Sequence, residues 1–80
     1  MPYIPFERRT ALLKCPAPDN AGELNYSIFR LCQKYLSDHS TNYKTLNEII
    51  GVLECCKQEF YRRVLVAYEE RKKEENGDLI

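Results

Sequence analysis

Apolar residues recur along this chain with the period of a helix rather than a strand. Leu24, Ile28, Leu31, Cys32, Tyr35 and Leu36 mostly fall at helical spacings, one stripe on a helix predicted over residues 21–37. Asn20 precedes that stripe and Glu23 follows three residues later, the pattern of a capping box. A second series, Leu46, Ile49, Leu53, Cys56, Phe60 and Ala67, alternates spacings of three and four, with Ile50, Val52, Val64 and Tyr68 beside it. Arg63 takes the one slot of that series where an apolar residue is expected. A start at Asn42 or at Thr45 (with Glu48) and a stop at Asn76-Gly77 predict a long helix over residues 42–76.

The opening MPYIPF carries Pro2 and Pro5 and is predicted to be extended. Phe6 to Lys14 suits a short helix that must stop near Cys15, because Pro16 and Pro18 follow directly. Residues 1–19 therefore form an arm or short helix, and SDHSTNY joins the two longer elements. The expected fold is all-α, an antiparallel helical hairpin of one medium and one long helix, in a single domain over residues 1–80.

The lengths do not match. At 1.5 Å per residue the long helix spans about 45 Å and the medium one about half of that. Folded back, the shorter helix covers Leu46 to about Tyr61 and leaves Val64, Leu65, Val66, Ala67 and Tyr68 without a partner in the chain unless the amino-terminal segment reaches them. An uncovered apolar patch on a small protein is most simply buried by another subunit, so Val64, Leu65, Ala67 and Tyr68 are the expected interface of a symmetric homo-oligomer. Size points the same way, since a chain of 80 residues has a marginal core of its own.

Charge excludes some partners. Twelve basic residues balance twelve acidic ones, so nucleic acid is not an expected partner. No apolar run approaches the roughly 20 residues of a membrane span, and the start lacks the charged-then-apolar pattern of a signal peptide. A cytoplasmic setting without a membrane is expected, whether in a free cell or an infected one. The four cysteines are then expected as free thiols, Cys32 and Cys56 packing in the core. Neighbours on a helix point about 100° apart, so Cys55 and Cys56 do not face one metal ion. The only histidine, His39, lies in the connector, and neither a bound metal nor a cofactor is expected.

Two readings compete for the charged residues. Glu59 stands three and four residues before Arg62 and Arg63, and Glu54 precedes Lys57 by three, as in a solvated face laced with ion pairs. Alternatively, Lys57, Tyr61, Arg62 and Arg63, with the spacing-four pair Tyr26 and Arg30, form a ligand-binding surface, because guanidinium forks beside tyrosine rings suit phosphates and nucleobases. The tail offers Glu69, Glu70, Glu74, Glu75 and Asp78, carboxylates that could hold magnesium for nucleotide hydrolysis, but Arg71, Lys72 and Lys73 are interleaved among them. There is no glycine-rich phosphate loop and no serine-histidine-acid set. An enzyme is not expected.

The stretches MPYIPF, GELNYSIFRL, IGVLECCKQEFYRRV and YEERKKEENGD resemble a family of small uncharacterised proteins of tailed phages and bacteria. The resemblance spans most of the chain and is most specific from Gly51 to Asp78; Cys15 to Asn20 replaces a longer stretch of the family. It brings no catalytic residue. It implies a phage-type setting, in which small helical proteins bind host proteins or sequester defence signals. The expected function is thus a non-enzymatic oligomeric binding protein for a nucleotide-like anion or a host protein. The alternatives are an oligomerisation module without a small ligand and a magnesium-dependent nucleotide hydrolase.

Overall fold

A computed structural model describes residues 4–77, among which there are helices and no strand. Pro2 and Asp78, which the extended-arm and acid-cluster expectations include, lie outside the described residues. Helix α1 spans Phe6–Lys14, α2 spans Ala21–Asp38 and α3 spans Tyr43–Phe60. A five-residue π turn, Tyr61–Leu65, leads into α4, Val66–Asn76, with Phe60, Leu65 and Val66 all in right-handed helical conformation. The helix that begins at Tyr43 therefore runs on to Asn76 without a break. The chain divides into two compact units, one up to Thr45 and one from Leu46 onward.

Local chemistry sets each helix end. Cys15 is extended, as the residue before Pro16 must be, while its N–H still reaches Ala11 O at 2.9 Å. At the start of α2 the Asn20 Oδ1 accepts the Glu23 N–H at 2.9 Å. The Glu23 carboxylate departs from the capping-box pattern: it accepts from Asp19 N–H at 3.0 Å, one residue before the cap. Of the two possible caps of α3, Asn42 is the one used, its Oδ1 accepting Thr45 N–H at 2.9 Å. Gly77 closes α4 with φ +83°, which glycine adopts without strain, and its N–H bonds to Lys73 O at 2.8 Å.

In the first unit α1 packs on α2. Ile4 and Leu12 are its buried apolar side chains among the described residues, Leu12 with only 2% of its surface exposed. The second unit is one helix. None of its large apolar side chains among the described residues is buried: Ile50, Val52 and Phe60 expose about two thirds of their surface, and Leu53 and Leu65 still expose 37 and 40%. Cys56, expected in the core, is exposed, and Cys32 is half-buried. The reason is elementary: one helix has no second surface against which to close its own stripe.

A glycine inside a helix can let another helix approach closely, but a Cβ built at Gly51 would meet nothing within 4 Å. Its missing side chain serves no contact among the described residues. Gly51→Ala is therefore expected to raise stability by about 1 kcal/mol through helix propensity, read as a higher midpoint in thermal unfolding followed by circular dichroism. A lower midpoint would mean that the space is used.

Candidate functional site

The expected ligand residues fall into two groups, each in its own unit. Tyr26 and Arg30 lie on α2, one turn apart, and line an open groove of about 600 Å³ in the first unit. Leu12 and Leu13 of α1 and Pro16 just beyond it provide one wall, while Leu31 and Lys34 continue the other along α2. The volume lies within the range that small ligands occupy. Arg30 Nη1 donates to Gln33 Oε1 at 2.9 Å, and Lys34 Nζ pairs with Asp38 Oδ2 at 2.9 Å. A guanidinium has five donors, so the Gln33 bond leaves Arg30 others with which to meet an anion. The groove thus joins an apolar wall to a tyrosine and two cations.

The second group lies along the exposed helix of the other unit. Arg62 Nη2 and Arg63 Nε donate to the two oxygens of a single carboxylate, that of Glu59. Lys57 stands 3.5 Å from Glu54, whose other partner is Gln58 at 3.2 Å. The hydrogen bond from Gln58, followed by the Lys57 charge, holds the Glu54 carboxyl below the usual carboxylate range. Lys57, Arg62 and Arg63 keep about 72–73% of their side-chain surface in solvent, so these pairs are weak ones. Further along, Lys72 Nζ and the Arg71 guanidinium lie 5.5 and 5.9 Å from the centre of the Tyr68 ring.

Acid chemistry in the tail is taken up locally. Lys72 pairs with Glu75 at 3.3 Å and Lys73 with Glu70 at 3.6 Å. Among the described residues no three histidine, cysteine, aspartate or glutamate side chains come together as a metal set. All four cysteines carry free thiols, with Cys15, Cys55 and Cys56 exposed. No helix among the described residues is long and apolar enough to cross a membrane.

One constellation has little signal in the sequence. Arg8 of α1 reaches across the proline-rich connector: its Nε donates to Glu23 Oε1 at 2.7 Å and its Nη2 to Ala17 O at 2.6 Å, with Asp19 Oδ2 at 3.3 Å. Asn20 and Glu23 announce a helix start, but nothing marks Arg8 as the partner of Glu23 fifteen residues earlier. The bond from Arg8, followed by the one from Asp19 N–H, holds the Glu23 carboxyl below the usual range against the opposing effect of desolvation.

That shift has a pH consequence. A carboxyl group lowered on folding stabilises the folded state fully above its unfolded value of about 4.3, and the contribution fades as pH falls through the lower folded value. Thermal midpoints measured from pH 6 down to pH 3 are expected to drop along this acid limb, and Glu23→Gln is expected to flatten it. An unchanged limb in that variant would remove Glu23 as its source.

Comparison with known proteins gives one positive result. No curated protein and no solved structure matches the chain. A family model described as a domain of unknown function (DUF6899) matches residues 1–79, and the chain belongs to that family.

Proposed function

We propose that the chain is a non-enzymatic binding module that works as a symmetric homo-oligomer, assembled through the helix face around Val64, Leu65 and Tyr68. One observation carries this reading. The unit from Leu46 onward is a single helix, and Val64, Leu65 and Tyr68 expose between 40 and 49% of their surface on it. An isolated helix in water is marginal, and most helical stability in proteins comes from burying an apolar face. A second copy offers that burial without requiring a different protein.

Capture of a small anion is the second reading, and the groove beside Tyr26 and Arg30 favours it. An anionic group would meet the free donors of Arg30, with its less polar part on Leu13 and Leu31, while Asp38 already holds Lys34. In the phage-type setting the ligand would be nucleotide-like, or the partner a host protein. Arg62 and Arg63 are less suited, because an incoming anion must displace Glu59 from both. Hydrolysis is disfavoured for a similar reason, since lysines already hold Glu70 and Glu75.

Light scattering at micromolar concentration tests the assembly, for which a mass of two or more chains is expected. A monomer there would overturn it. Thermal unfolding with a panel of nucleotides tests capture, because a ligand of the native state raises the midpoint in proportion to ln(1 + [L]/Kd). A panel without any shift would leave the oligomeric module alone.

A further inference from the structure

The π turn determines which residues can form one face of the second unit. Val66 N–H bonds to Tyr61 O, five residues back instead of four. Such a turn holds one residue more than an α turn, so every later side chain lags by about one position, roughly 100° around the axis. In an unbroken α-helix, Ala67 would stand on the face of Leu53 and Phe60. With the lag, Leu65 and Tyr68 take that face instead, and Ala67 turns away. The polar gap at Arg63 closes as well, because the apolar series now passes directly from Phe60 to Leu65.

The same lag rearranges the charges. Glu54 and Lys57 lie on one flank of the Leu53–Phe60 face, and the π turn brings Glu69 and Lys73 round to that same flank. Read along the helix, the flank runs acid, base, acid, base. A second copy laid antiparallel, crossing near Arg63, places Lys57 opposite the partner's Glu69 and Glu54 opposite the partner's Lys73. Phe60 then meets the partner's Leu65. Without the π turn, Glu69 and Lys73 would lie on another side of the helix and this match would vanish.

We propose that the face formed by Leu53, Phe60, Leu65 and Tyr68 is the docking surface for the same helix of a second copy, running antiparallel, with its register set by the π turn. The proposal rests on the oligomeric reading above and adds the partner, its direction and its register. Spacing of three and four residues suits a partner helix of like spacing, and flanking charges choose its orientation.

Charge reversal in the full-length chain separates this arrangement from other coverings of the same face. Lys57→Glu is expected to set like charges opposite at both ends of the pair and to weaken self-association roughly tenfold in analytical ultracentrifugation. The double variant Lys57→Glu/Glu69→Lys is expected to restore the parent affinity. At a concentration where both variants remain associated, helical content by circular dichroism should stay unchanged, because the side chains concerned are exposed. If the parent self-associates and the double variant is no tighter than Lys57→Glu alone, the antiparallel register is wrong while the oligomeric reading stands. A parent that stays monomeric overturns both.

Discussion

Leu12→Ala is expected to cost about 2–5 kcal/mol, the largest loss from any single truncation in the first unit. Leu12 exposes 2% of its surface, and α1 has no other buried side chain to hold it on α2. Truncation removes apolar burial and leaves a cavity that helix ends pinned by Asn20 and by the Arg8 bonds cannot readily close. A domain has only about 5–15 kcal/mol of total stability, and a small core keeps it toward the low end, so the variant should unfold at much lower urea concentration. Leu13, half-exposed beside it, is the control, and its truncation should cost well under half as much. Equal losses at the two positions would show that the interior is not where the structure has it.

Leu65→Glu is the second large effect. On the proposed face Leu65 packs against Phe60 of the second copy, and an unpaired carboxylate buried there costs about 3–5 kcal/mol. The expected result is a monomer at micromolar concentration, by light scattering, with helicity reduced because the exposed helix loses its cover. Ala67→Glu should leave assembly nearly untouched, since the π turn carries Ala67 off that face. The α-helical register predicts the reverse order of the two variants. Equal dissociation by both would place the whole Val64–Tyr68 surface in the interface.

The helices and their ends are legible from spacing and punctuation. Asn20, Asn42, Pro16 and Gly77 mark helix ends through a side-chain oxygen, a missing N–H or a positive φ, all local causes that a sequence carries openly. The π turn is visible only as an anomaly. Arg63 in an apolar slot signals that an unbroken period of 3.6 does not fit, and the five-residue step from Phe60 to Leu65 is its resolution. Cys56 is exposed although it lies in the stripe, because a stripe identifies the side that wants cover without saying what supplies it. Of the candidate site, Tyr26 and Arg30 follow from helical spacing alone, while the groove wall from Leu13 and Pro16 depends on how α1 turns back onto α2. Arg8 was illegible, since its partners lie across a connector whose path the sequence does not state.

The Arg8 bonds also change what that connector can be. Pro16 and Pro18 stiffen the passage between α1 and α2 in the unfolded as well as the folded chain, so less disorder is lost there on folding. Each proline also removes an amide donor, which leaves the passage with more acceptors than it can satisfy from its own backbone. One guanidinium from the preceding helix makes up the shortage, binding the Ala17 carbonyl and the Glu23 carboxylate in a single fork. A lysine in its place would keep the charge and lose the fork, and the stiff passage would then have to hold its bend with water as its donor.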